Sequence, residues 1–82
     1  MGMFRDNRWQ IRSDDSVWMF PADVTLCTTQ MPNLIGYKFG YKYESCIFTR
    51  NGSEVLARYN TKKDAMKRHR ELEKQYNLKR IK

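Results

Sequence analysis

A chain of 82 residues is one small domain, and at this length only about 60–65% of the unfolded surface can be buried, so the core must be thin. Aromatic residues make up 13% of it, which supplies apolar area in few positions and argues against disorder despite 30% charged residues. The net charge of +7 is concentrated at one end: three cations against four aspartates over residues 1–36, four against two acids over 37–60, and nine against three over 61–82. That sign excludes acidic mimicry of DNA and is compatible with a polyanionic partner or a solvated cationic helix.

The chain opens on Met-Gly-Met-Phe-Arg-Asp-Asn, which lacks the apolar core of a secretory leader, and Asp6 stands where a myristoylation motif favours Ser or Thr. No apolar run approaches the ~18 residues of a membrane span. Residues 9–12 and 17–20 flank a polar loop at 13–16 and predict a first hairpin. Asp14 and Asp15 fall in that loop, where Asp is favoured for bonding its own backbone. Residues 24–30 alternate Val24, Leu26 and Thr28 against Thr25, Cys27 and Thr29, a second strand signal bounded by Pro21 and Pro32.

Residues 36–44 read Gly-Tyr-Lys-Phe-Gly-Tyr-Lys-Tyr-Glu, with rings at Tyr37, Phe39, Tyr41 and Tyr43 and lysines at 38 and 42. On one unbroken strand these rings would share a face with Ile47, opposite Cys46 and Phe48. A bulge near Glu44-Ser45 could swap the faces, the N-terminal strands could cover the rings, or the rings could form a binding patch. The expected division has Tyr43 packed within the domain, with accessible rings at Tyr37 and Tyr41. Tyr37, Phe39 and Tyr41 are the candidate protein-binding residues. Alternating rings and lysines also suit base stacking with phosphate contacts. Phe39-Gly40-Tyr41 matches the centre of an RNA-recognition signature, but Lys38 and Lys42 replace the glycine and the aliphatic residue found there.

Asn51-Gly52 between residues 46–50 and 55–59 predicts a hairpin with a type I′ turn. Centred there, the turn pairs Phe48 with Val55, Ile47 with Leu56 and Cys46 with Ala57. One face then carries Cys46, Phe48, Val55, Ala57 and Tyr59, and this more apolar face is the expected core side. Thr61 is an N-cap, Asp64 takes the capping-box position, and Ala65, His69, Leu72 and Tyr76 form an apolar stripe with Met66 at its edge. Asn77 is the expected stop. Residues 78–82 are read as a basic tail.

The chain offers little for catalysis. His69 is the sole histidine and falls on the buried stripe, as a core residue would. Cys27 and Cys46 lack metal or CxxC spacing and are read as free thiols in a reducing compartment. The four glycines match no phosphate-binding loop. No catalytic residue, metal site or cofactor is expected.

From Tyr43-Glu44 through Ile47-Phe48, Glu54-Val55 and Arg58-Tyr59-Asn60-Thr61 to Ala65 and His69, the chain resembles small uncharacterised proteins encoded by bacteriophages. Those proteins run from a strand into an Arg-Tyr-x-Thr-x-x-x-Ala-x-x-x-His helix start. Their acidic first turn is here Lys62-Lys63, and the glycine before their His is Arg68. The resemblance implies phage origin, with host cytoplasm or virion as the location.

The combined expectation is a single α+β domain over residues 1–82: an antiparallel sheet of about four strands with one C-terminal amphipathic helix packed on it. The leading functional reading is a non-catalytic phage accessory or virion protein that binds a virion or host protein through its aromatic sheet face. The alternative is a nucleic-acid-binding module using Lys62, Lys63, Lys67, Arg70, Lys79, Arg80 and Lys82. Neither involves a membrane.

Overall fold

The computed structural model describes residues 9–16, 22–31 and 41–81, and among these residues the regular structure is five antiparallel strands and one helix. The strands are β1 (Gln10–Asp14), β2 (Thr25–Gln30), β3 (Tyr43–Thr49), β4 (Gly52–Tyr59) and β5 (Lys79–Arg80), and the helix is α1 (Lys62–Tyr76). The sheet order is β4-β3-β2-β1-β5, and α1 lies on one face against β2, β3 and β4. This is the expected α+β layout with one strand more.

The first predicted hairpin is corrected. β1 extends through Ser13 and Asp14 and pairs with β2, from Gln10 opposite Thr29 to Asp14 opposite Thr25. Residues 17–20, its predicted partner, lie outside the described residues. Asp14, the last residue of β1, bonds local backbone as expected, whereas Asp15 bonds the backbone that leads into β2. Asp14 Oδ1 accepts the Ser16 N–H at 3.1 Å, and Asp15 Oδ1 accepts those of Asp23 and Val24 at 2.9 and 3.0 Å.

The second hairpin forms, but its register is displaced. Cys46 pairs with Val55, Ile47 with Glu54 and Thr49 with Gly52, so Arg50 and Asn51 make the turn. A type I′ turn at Asn51-Gly52 needs positive φ at both residues, and of the two only Gly52 has it, at 130°. Thr49 Oγ1 closes the loop by accepting the Asn51 N–H and donating to the Gly52 carbonyl. Beyond the turn, Ser45 pairs with Ala57, which leaves Leu56 as the extra residue of a β-bulge on β4.

The expected core side is also corrected. Ser45 and Ile47 are buried, whereas Phe48 is 45% and Val55 41% exposed. The buried face continues through Ile11 and Ser13 on β1 and Leu26 and Thr28 on β2. Leu56, the bulge residue, and Ala57 beside it are both half-buried. Odd positions of β3 therefore face the helix, and Tyr43 with them. The physical reason is register: Ile47 is the residue opposite Leu26, and Ser45 is opposite Thr28.

The helix is built as its sequence requires. Thr61 has extended backbone and its side chain accepts the Asp64 N–H at 3.1 Å. Ala65, His69 and Leu72 are buried, but Tyr76, the last residue of the helix, is 39% exposed. Asn77 is left-handed (φ 57°), and the Leu78 N–H bonds the Glu73 carbonyl at 2.8 Å. This reversal returns Leu78 to Leu26 and Leu72 in the core. It also delivers residues 79–80 to β1, with Arg80 opposite Ser13 and Lys79 opposite Asp14. The predicted tail is thus an edge strand.

Candidate functional site

The helix sorts its charges. At ~100° per residue, Lys62, Lys63, Met66, Lys67, Arg70 and Lys74 occupy one arc of about 140° on a flank of α1. Asp64, Arg68 and Glu71 occupy the opposite flank, where Arg68 and Glu71 pair at 3.0 Å. The four sequence-predicted cations of the helix, Lys62, Lys63, Lys67 and Arg70, are all exposed and line one open depression with Met66 as its apolar residue. At its N-terminal end, Lys62 Nζ stands 5.1 Å from the centre of the Trp9 ring, a cation–π contact. Trp9 in turn meets Tyr43 edge-on, with centroids 5.7 Å apart.

The other candidates do not join this flank. Arg80, though exposed, is engaged by Glu73 in a two-pronged bond, Nε to Oε2 at 2.9 Å and Nη2 to Oε1 at 3.0 Å. Lys79 is exposed on β5 opposite Asp14. Lys82 lies outside the described residues, as do Tyr37 and Phe39. Tyr41 is 40% exposed and, with residues 55–58, lines a shallow hollow beside β4, the terminal strand among the described residues. Tyr43 is half-buried, as expected.

Beneath the helix runs a buried polar chain that sequence reading missed. Tyr59 Oη lies 2.9 Å from Ser45 Oγ, Ser45 Oγ 2.5 Å from Thr28 Oγ1, and Thr28 Oγ1 2.7 Å from His69 Nδ1. On the other side of the ring, His69 Nε2 lies 2.8 Å from Ser13 Oγ, which donates to Glu73 Oε2. Ser13, Thr28, Ser45 and His69 have no accessible surface. Among the described residues, no buried side-chain nitrogen or oxygen lacks a partner.

Chemistry gives the chain a direction. Burial pushes the Glu73 carboxyl up, but hydrogen bonds from Arg80 and Ser13 outweigh it and hold the group below its ordinary value. As a carboxylate it only accepts, so Ser13 donates to it and must receive Nε2–H from His69. Burial keeps His69 below its ordinary value, against the pull of Glu73, and so neutral. Its Nδ1 then accepts from Thr28, Thr28 from Ser45, and Ser45 from Tyr59. Ser13, Thr28 and Ser45 each donate once and accept once, and Tyr59 starts the chain as a donor.

By residue type, Ser13, His69 and Glu73 make a nucleophile–base–acid set. Ser13 Oγ is sealed from solvent and its proton is committed to Glu73, so a substrate carbonyl has no path to it. The arrangement is structural. Among the described residues, no group of three or more His, Cys, Asp or Glu could hold a metal ion, and no helix is long and apolar enough to cross a membrane.

The signal for the polar chain was present in the sequence. Ile11-x-Ser13, Leu26-x-Thr28 and Ser45-x-Ile47 each place a hydroxyl two residues from an aliphatic, hence on the same face. A buried-stripe histidine needs a partner for each ring nitrogen. The residues that join strand to helix also acquire structural roles: Tyr59 starts the chain, Thr61 caps the helix, Ala65 packs with no accessible surface, and His69 joins the two halves. No family model, no curated protein and no solved structure matches this chain.

Proposed function

We propose that this protein is a non-catalytic binding module, of the phage accessory type, that takes a nucleic-acid backbone along the cationic flank of α1. The observation that carries this reading is the segregation of five cations, Lys62, Lys63, Lys67, Arg70 and Lys74, onto one flank whose acid, Glu73, sits at its inner border, angularly next to Lys62, and is engaged by Arg80. Such a stripe extends about 18 Å at 1.5 Å per residue, long enough to meet several successive phosphates. The described ring beside that flank, Trp9, is already engaged by the Lys62 ammonium and the Tyr43 edge. The reading is therefore one of backbone contact with little sequence preference.

Titration of generic single- and double-stranded DNA and RNA at two ionic strengths tests it. Replacing Lys63, Lys67 and Arg70 with Gln is expected to flatten the salt dependence of log K by about three, roughly one for each lost phosphate contact. Absence of binding at low salt would defeat the reading.

The exposed Tyr41 ring favours a second reading, a protein contact. It stands beside β4, the terminal strand among the described residues, where an incoming strand could pair. Tyr41→Ala would then leave the fold intact and weaken capture of a virion or host protein. If partner capture is unchanged, that contact does not involve Tyr41.

A further inference from the structure

We propose that Cys27 and Cys46 are a reversible thiol–disulfide site, closed across two strands by a low-molecular-weight disulfide and reopened by a thiol. The two residues are direct partners in the β2–β3 ladder. Both are free thiols, both are partly accessible, and both belong to the sheet face turned away from α1. On the same rung they are flanked by Arg12 of β1 and Val55 of β4.

Ladder geometry indicates what kind of bond they can make. Met31 N–H donates to the Lys42 carbonyl at 2.7 Å, one step beyond the Gln30–Tyr43 pair, which marks residues 31 and 42 as a hydrogen-bonded pair. Antiparallel pairs alternate, so 29 with 44 and 27 with 46 are of the same type. The α-carbons of such a pair are about 5.5 Å apart, within the range a disulfide spans. Their β-carbons sit near the wide end of about 4.5–5.5 Å, whereas a disulfide holds them at about 3.5–4.5 Å. Closure must draw the two side chains together, so the bond forms under strain. Strained disulfides are the readily reduced, exchangeable ones. This is the geometry of a reversible site and not of a permanent staple.

The surroundings assign the order of events. Burial raises the Cys27 thiol, but Arg12 favours its thiolate. Burial and the neighbouring Glu44 push Cys46 up to about 11. Cys27 is therefore the attacking thiol. Its thiolate displaces one glutathione thiolate from oxidised glutathione and leaves a mixed disulfide on Cys27. Cys46, once deprotonated, attacks Cys27 Sγ and expels the second glutathione thiolate. The two cysteines lose two electrons and two protons, and the reagent is reduced to two thiols. Because both cysteines are raised, closure quickens as pH rises.

The test equilibrates the native full chain with reduced and oxidised glutathione and reads thiol state by acid quench and intact mass. The expected product is a monomer lighter by two hydrogens and carrying no glutathione, restored by excess reductant. At a fixed ratio of reduced to oxidised glutathione, doubling the total should halve the quotient of oxidised to reduced protein. This follows because two glutathiones are released per protein. A mixed disulfide releases one and would show no change. Cys46→Ser should stop at one glutathione adduct on Cys27. A native chain that stops at the mixed disulfide, links to a second copy, or keeps both thiols while the denatured chain oxidises would overturn the proposal.

Discussion

Replacing Thr28 with Val tests the buried polar chain at its narrowest point. The side chain keeps its size and shape, so no cavity is made and the strand loses no β propensity. What disappears is a single oxygen that lies 2.5 Å from Ser45 Oγ and 2.7 Å from His69 Nδ1. Ser45 loses the acceptor for its proton, and His69 Nδ1 loses its donor. The other tautomer of His69 gives no escape: a proton on Nδ1 would face a methyl group, and Ser13 could no longer serve both Nε2 and Glu73. Each buried polar group left without a partner costs ~1–3 kcal/mol, so a loss of about 2–4 kcal/mol is expected. In a domain of this size that lowers the melting midpoint by about 10–25 °C. Thr25→Val is the control, because Thr25 lies on the other face of the same strand and should change stability by less than ~0.5 kcal/mol. Denaturant unfolding of both variants decides the matter, with an unchanged m-value as the sign that two-state behaviour holds. A Thr28→Val loss no larger than that of the control would refute the chain as a stabilising element.

The corrected core side is tested by a neighbouring pair. Ile47→Ala should cost ~2–5 kcal/mol, and Phe48→Ala far less, since the larger Phe48 ring is 45% exposed and Ile47 is 8% exposed; the reverse order in unfolding midpoints would restore the face that apolar content alone suggests. Stability should also fall with acid in two stages. Burial holds His69 below its ordinary 6.5, against the pull of Glu73 and with the help of Arg80, so the unfolded chain binds the extra proton and stability declines once the pH drops below about 6.5. Glu73 lies below its ordinary 4.5 and adds a second decline beneath that pH. Midpoints measured from neutral pH downward should show this order, and a flat profile through the histidine range would mean that His69 charges without penalty.

A network of this kind suits a thin core. With few aliphatic residues to spare, the centre of the inner face is filled by Ser13, Thr28 and Ser45, and the His69 ring spans the gap between them and the helix. The hydroxyls contribute little transfer free energy by themselves. Left unpaired they would be costly, so each fixes its neighbour's position, and the helix can dock in only one register on the sheet. Tyr59, Thr61, Ala65 and His69 all serve that docking, whereas the cations of the flank take no part in it.

The sequence by itself determined the local elements. Thr61 and Asp64 mark the helix start because capping depends on residues three apart. Asn77 marks its end because a left-handed residue needs only its own backbone. The alternation of residues 24–30 shows which side of β2 is buried, since Leu26 is far more apolar than its neighbours. Tertiary structure decided whatever depended on partners distant in the chain. Both faces of residues 45–48 are half apolar, and only pairing with Leu26 and Thr28 selects Ser45 and Ile47 over Cys46 and Phe48. The bulge at Leu56 shifts the phase of β4 by one residue, which no periodicity in β4 alone reveals. Residues 79–80 are too short to announce a strand and become one because the Asn77 reversal and buried Leu78 lay them against β1. Arg80 is tied down for the same reason: the reversal sets it beside Glu73, where it makes two hydrogen bonds to the carboxylate while staying at the surface.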